Sequence, residues 1–471
     1  MVVREVVNRP VNADNTKGGG SDTSGPINVY DLAATDLSDV AGLIISGGCD
    51  QVELKRNAEK LTSWVNNGGR LLVNGHPRQV FVDKLPQIRA LQFKGVKDVW
   101  LSAVEPHPIW EGVERKDVLL RTGVPGHHCF EELQRIGVAG FYAHAYLADL
   151  PENASVITGI GEHRMPVDVS YRLGAGEVIV HAGNDLGSFQ YEDKSTHDLR
   201  AQINTYLAGG TTSSTNMVLA DEHALADEHA LADDAPTASG VRASTGRIAF
   251  VHTGSYFHLA TAHDPVVQAR EVQPVYWPAY EGDFSEFDAV YVAARCHPGV
   301  IAEKHPQIVN YLQKPGRKVF IDGIAHVNEW LPGTTEIPRG TNFWSWRTGE
   351  DVGRRSVNQD HPLWRDYLSQ RSVHWHYHGV LAPPEQATPL VVLVPVDNDP
   401  ANELGVDPWG TGYLAVDGHP NVLLYHDAAT FAAELVVTTM DASYHHGAGF
   451  MPGATQLLYR MLAWLDSSAQ L

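Results

Sequence analysis

VYDLAATDLSDVAGLIISGGC at Val29–Cys49 and VYWPAYEGDFSEFDAVYVAARC at Val275–Cys296 are two versions of one stretch. A helical run follows each, and then a second apolar segment: NNGGRLLVNG ending at Gly75, and KPGRKVFIDG ending at Gly323. Val29 and Cys49 lie 20 positions apart, Val275 and Cys296 21; Cys49 to Gly75 is 26 and Cys296 to Gly323 is 27. Two single-residue slips over such a span mark an internal duplication, and a repeat governs every later assignment.

Each copy reads as a βαβ unit. Leu43–Ser46 and Val290–Ala293 are short apolar runs suited to a strand covered on both faces. Leu54, Ala58, Leu61 and Trp64/Val65 recur at helical spacing in the first copy, as do Ile308, Val309 and Leu312 in the second, where Pro306 suits a first helical turn. Gly68-Gly69 and Pro315-Gly316 end these helices, and Leu71–Val73 and Val319–Ile321 form the next buried strands. Strands joined through helices form a parallel sheet with right-handed crossovers.

Further outward the copies continue to match. His107-Pro108-Ile109-Trp110 pairs with His361-Pro362-Leu363-Trp364, and Val118-Leu119-Leu120 with Val373-His374-Trp375, both read as strands. Late strands at Glu177–His181 and Leu435–Thr438 lead to Asp185 and Asp441, and an amphipathic helix closes each copy. The expected division is an N-terminal arm at 1–26 with at most an edge strand, a first domain at 27–209, an acidic linker at 210–245 and a second domain at 246–471. The linker holds a six-residue tandem repeat, Leu219–Ala235, whose period keeps no fixed helical stripe. It reads as a solvated spacer, with docking of Leu219, Leu225 and Leu231 on a partner as the alternative.

Composition excludes several classes. With 35 Lys plus Arg against 56 Asp plus Glu, the net charge is −21. A nucleic-acid partner is not expected, because phosphate binding needs a concentrated basic face. Three cysteines and no CxxC exclude a disulfide framework. The start MVVREVVNRP has no signal-peptide core and no apolar run reaches membrane-spanning length, so cytoplasmic synthesis without a membrane partner is expected.

The order of GLIISGG, WVNNGGRLLVNG, HPIWEG and RLGAGEVIVHAGND, with VYVAARC, PGRKVFIDG, HPLW and LVVTTMDASYHHGAG in the second copy, resembles the class I glutamine amidotransferase-like superfamily, in its ThuA-like, sugar-utilisation-associated branch. The resemblance spans nearly all of both copies and rests on the shared order of motifs. It implies two tandem flavodoxin-like α/β domains with mostly parallel sheets, and ligands, if any, at the carboxyl ends of the strands. It also implies a nucleophilic cysteine on the turn after the strand that is Leu71–Val73 here. That turn reads LLVNGHPRQ, and the second copy reads VFIDGIAHV; neither holds Cys or Ser. The chain is therefore expected to be catalytically silent towards glutamine.

Other candidates are binding residues. Gly47 and Gly48 offer backbone N–H groups to an anion, although the second copy carries Ala293-Ala294. Cys49 and Cys296 sit near helix starts, where a thiol pKa falls; the simpler reading is a small buried residue inherited by duplication. Asn74, His76 and Asp322 flank the turns that lack a nucleophile. His374, His376 and His378 alternate in VHWHYHG, so on a strand all three imidazoles share a face that zinc could use, with Trp375 and Tyr377 packing inward. Side chains two apart on a strand are nearly 7 Å apart, awkward for one ion, so a packing or interface face is preferred and neither metal nor cofactor is expected. HPIW and HPLW read as structural corners. Two degenerate copies point to a non-catalytic scaffold in a larger, multi-subunit assembly such as a virion or tail-type particle, with protein partners and self-association. A ThuA-like enzyme or binding protein acting on carbohydrate is the alternative.

Overall fold

The computed structural model describes residues 2–8, 25–91, 96–121, 140–143, 145–210, 247–323, 325–338, 353–375, 377, 379–394, 421–449 and 451–467. The repeat-bearing linker from 211, His376 and His378 lie outside the described residues.

Two large mixed α/β sheets form the core. The first has the order Ile27–Asn28, Val2–Val7, Val40–Ile45, Arg70–Asn74, Gly176–His181, Met165–Leu173, Ala154–Ile160, Leu101–Ala103. The second runs Val272–Tyr276, Ile248–His252, Ala289–Val292, Lys318–Ile321, Glu434–Thr438, Val422–Asp427, Gly379–Ala382, Thr335–Pro338; Thr388–Leu393 also pairs with Val422–Asp427 and carries Arg354–Ser356. In both, five parallel strands give way to antiparallel ones. The register agrees too: Ile45 pairs with Val73 and Val292 with Ile321, while Arg70 pairs with Glu177 and Lys318 with Glu434. Gly176–His181 and Lys318–Ile321 are buried along their whole length, which suits their apolar stretches Val178–Val180 and Val319–Ile321.

The expected edge strand near the N-terminus is an interior strand. Val2–Val7 lies inside the first sheet, between Ile27–Asn28 and Val40–Ile45, where Ile248–His252 lies in the second. Arg4 and Glu5 obscure this strand in the sequence. Their charges are accommodated by an Arg4 hydrogen bond to the Gly25 carbonyl and a Glu5–Arg200 ion pair, while Val6 is fully buried.

Local chemistry adjusts other elements. The helical run after Cys49 divides into Gln51–Arg56 and Ala58–Asn66 at Asn57, whose side chain donates to the Glu53 carbonyl. Leu54, Leu61 and Val65 still share one buried stripe. In the second half the helix begins at Pro298, capped by His297, so Pro306 falls in its interior rather than its first turn. His107 and His361 are structural caps: the Nδ1 of each accepts the N–H two residues on, with proline at the first helical position.

The strand expected at Val373-His374-Trp375 is absent. Ser369 and Ser372 form a reciprocal capping box that turns Gln370–Val373 into a short helix. His374 is exposed beyond it, whereas Trp375 and Tyr377 are buried as expected. The matching first-half segment forms a 3-10 turn at Arg115–Val118 followed by the two-residue strand Leu120–Arg121.

The interior placement of Val2–Val7 has a direct test. Val6→Asp should lower the unfolding free energy measured by urea titration by several kcal/mol, because it buries an unpaired charge. Deleting residues 1–8 should do at least as much, whereas unchanged stability in both would return this segment to an arm.

Candidate functional site

The carboxyl ends of the two sheets meet, and one carboxylate joins them. Asp50 follows the first sheet's Val40–Ile45 strand and caps helix Gln51–Arg56, its Oδ1 accepting from the N–H groups of Val52 and Glu53. Its Oδ2 accepts from Tyr30 of the same half at 3.0 Å and from Tyr276 of the other half at 2.7 Å. Around it, the Gln51 N–H donates to the Gly254 carbonyl at 2.9 Å and the Ser255 hydroxyl to the Gly48 carbonyl at 2.8 Å. Gly254 has φ +77°, and a Cβ there would stand 1.9 Å from Asp50 Oδ1, so only glycine fits. Burial raises the Asp50 carboxyl to about 6 against the opposing pull of the Tyr276, Glu53, Tyr30 and Val52 donors.

The turns that lack a nucleophile are structural. Asn74 Nδ2 donates to the Ile45 carbonyl, and its Oδ1 accepts from the Leu186 N–H at 3.1 Å. Asp322 does the corresponding work, accepting from Ala442 N–H at 2.9 Å, Ser443 N–H at 2.7 Å and the Tyr291 hydroxyl at 2.8 Å. Both residues are buried and tie the strand end to the loop after the neighbouring strand. His76 is buried too, its carbonyl held by Gln51 Nε2 and its ring 4.6 Å from that of Tyr256 across the junction. Burial pushes His76 down to about 3, so it is neutral at physiological pH.

Cys49 and Cys296 occupy equivalent positions and are both buried. Burial raises the Cys49 thiol, aided by the neighbouring Asp50, and pushes the Cys296 thiol up to about 12. Neither helix start lowers a thiol pKa, because desolvation outweighs it.

Of the candidates, Gly47 and Gly48 reach an open site: a cleft of about 260 Å³ between the halves. The strand registers make Ala294 and Arg295, rather than Ala293-Ala294, the second-half equivalents of Gly47 and Gly48. Asp185 enters from the first half, its Oδ1 accepting the Gly47 N–H at 2.7 Å and its Oδ2 the Ser46 hydroxyl at 3.3 Å. Arg295 enters from the second, with Nε and one terminal nitrogen each 2.7 Å from Oδ2 of the buried Asp441. Its guanidinium lies 3.6 Å from the centre of the Tyr444 ring.

Sequence reading overlooked Asp50, Arg295 and a buried relay in the first half. His181 Nδ1 lies 2.7 Å from Asp168 Oδ1, and the Tyr142 hydroxyl donates to Asp168 Oδ2 at 2.6 Å. The two strands carrying Asp168 and His181 pair directly, but nothing in the linear sequence couples these residues. A capping aspartate after Cys49 was the one legible sign of Asp50. Among the described residues no group of three or more His, Cys, Asp or Glu could hold a metal ion, and no helix is long and apolar enough to cross a membrane.

No family model matches this chain, and no curated protein matches it. Among solved structures, the cytoplasmic protein STM3548 from Salmonella typhimurium aligns at 14% identity over 44% of this chain and 98% of that one, with a TM-score of 0.28. The mmIFT52 N-terminal domain aligns at 14% identity over 46% of this chain and 100% of that one, at 0.25. The exo-beta-1,4-mannosidase Op5Man5 from Opitutaceae bacterium strain TAV5 aligns at 16% identity over 44% of this chain and 35% of its own, at 0.21. Likenesses this low carry no argument about fold or function.

Two outcomes follow from the site. Cys49 and Cys296 should resist a thiol reagent such as DTNB at pH 7.5 in the native protein and react on unfolding; rapid native labelling of either would show an accessible thiolate. For Asp50, the folded carboxyl holds its proton up to about 6, above the roughly 3.9 of an unfolded aspartate. Its contribution to stability is therefore full below the unfolded value and lost as pH rises through the folded one. Urea titrations should show the stability difference between wild type and Asp50→Asn shifting towards the variant from pH 4 to pH 7. A difference independent of pH would place the Asp50 proton elsewhere.

Proposed function

We propose that the chain is a non-catalytic structural component of a larger assembly, built from two degenerate copies of a flavodoxin-like, amidotransferase-like domain. The agreement of strand order and register between the two sheets supports the duplication. The observation that carries the functional reading is the state of the two turns where the resemblance implies a nucleophile. They lack thiol and hydroxyl, and protein covers them. A Cβ at Gly75 would stand 2.8 Å from Gly47, and one at Gly323 2.8 Å from the Thr439 carbonyl and the Asp441 N–H. Gln51 and Asp322 fill the space around these turns with satisfied hydrogen bonds, leaving shape rather than chemistry for selection to keep. The carbohydrate reading draws on the polar, aromatic-lined cleft alone.

Size fractionation of a native extract should place the chain in particles well above its 51.5 kDa. Purified protein should release no ammonia from glutamine. A strictly monomeric chain in the extract, or glutamine turnover lost on Cys49→Ala or Cys296→Ala, would overturn this reading.

A further inference from the structure

We propose that a cavity at the amino end of the first sheet binds a monoanionic aromatic carboxylate, its carboxyl group on Arg70 and its ring system along Trp64. This inference stands apart from the scaffold reading, since it needs neither a nucleophile nor a partner chain.

The cavity measures about 540 Å³, within the roughly 300–1,000 Å³ of small-ligand pockets. It lies where strands Val40–Ile45 and Arg70–Asn74 begin and helices Ala58–Asn66 and Leu199–Leu207 end, at the opposite end of the sheet from the junction. Arg70 is the basic residue of its lining. One terminal nitrogen of Arg70 donates to the Tyr206 carbonyl, and the guanidinium carbon lies 4.5 Å from the centre of the Tyr206 ring. These contacts orient the guanidinium before any ligand arrives. Among the described residues no carboxylate pairs with Arg70, and its Nε and second terminal nitrogen have no acceptor. In a chain of net charge −21, this is a half-buried cation that no acid of the described fold answers.

The duplicate shows the same place filled. Lys318 holds the register of Arg70 in the second sheet, pairing with Glu434 as Arg70 pairs with Glu177. Its ammonium donates to the Trp464 carbonyl at 3.1 Å, the Ser467 carbonyl at 2.9 Å and the Ser467 hydroxyl at 2.7 Å. All three ammonium donors are thus taken by the end of the closing helix. In the first half that helix stops at Leu207, and Gly209 has φ +89° with open space where a Cβ would stand. Arg70 therefore serves one carbonyl of its helix end, and the rest of its fork lines the cavity.

Ligand class follows from charge and lining. A guanidinium edge with two parallel N–H donors matches a planar carboxylate. The exposed Asp36 at the rim and the two helix carboxyl ends disfavour the near-double charge of a phosphate monoester. Trp64 supplies a fixed flat wall: its Nε1 donates to the Val40 carbonyl at 3.2 Å, and its ring lies against Gly69, where a Cβ would stand 2.5 Å from Cε2. Leu37 and Leu207 extend the apolar surface. A two-ring aromatic body joined to a carboxylate by a short arm suits that wall and that volume.

The probe is 2-naphthylacetate, which has this shape, titrated into the full-length protein by calorimetry beside 2-naphthylacetamide, 2-naphthyl phosphate and acetate. The acid should bind at least about tenfold more tightly than the amide or acetate, and more tightly than the phosphate. Arg70→Lys installs the residue that the second half carries, so the variant should keep its melting temperature; without the fork it should bind 2-naphthylacetate about tenfold more weakly. Arg70→Gln should also abolish the preference for acid over amide. Equal binding of acid and amide, equal binding of acetate, tighter binding of the phosphate, no binding by about 5 mM, or unchanged affinity in a folded Arg70→Lys protein would each overturn the proposal. Should Arg70→Gln fail to fold, Arg70→Lys and the four ligands on the wild type still decide it.

Discussion

One buried carboxylate holds the geometry of the junction together. Asp50 caps a helix in its own half with one oxygen and receives tyrosine hydroxyls from both halves with the other. A carboxylate buried this deeply is tolerated only when its acceptor sites are filled, and here four donors fill them. The cost is visible in the raised carboxyl pKa. Gly254 must remain glycine for the oxygen to fit, and the adjacent Ser255 and Tyr256 then reach the first half. Side chains at the strand ends that would otherwise face water instead face protein.

That arrangement changes what strand ends can do. In an open parallel sheet the carboxyl ends are where a ligand crevice forms. Here part of that crevice is filled by the opposing half, and Asn74, Asp322, His76, Cys49 and Cys296 are enclosed as structural groups. What stays open is the gap between Asp185 and Arg295, bounded by residues of both halves. Any chemistry there depends on the junction, since neither half forms the cleft alone.

The α/β order common to the two sheets was legible because its carriers are local: an apolar run, a helical stripe, a glycine stop and a second apolar run, repeated with single-residue slips. Trp375 and Tyr377 are buried as expected, although the expectation rested on strand alternation that Val373–Trp375 does not adopt. Val2–Val7 was misread because Arg4 and Glu5 interrupt its apolar pattern, while the parallel neighbours that bury Val6 come from later in the chain. The strand expected at Val373-His374-Trp375 was a misreading because alternation outweighed Ser369, whose capping box makes Gln370–Val373 a helix.

The sequence by itself determined the repeated α/β units, the absence of Cys or Ser at both expected nucleophile turns, and the acidic balance, because each is a property of neighbouring residues or of composition. Tertiary structure decided the rest. It brought Asp50 between Tyr30 and Tyr276, separated by 246 positions from one another, and set Arg295 across a cleft from Asp185. It also turned two cysteines near helix starts into buried thiols with raised pKa values. The physical reason is that burial and charge pairing are set by whatever the other half of the chain brings into contact, and no local pattern encodes that distance.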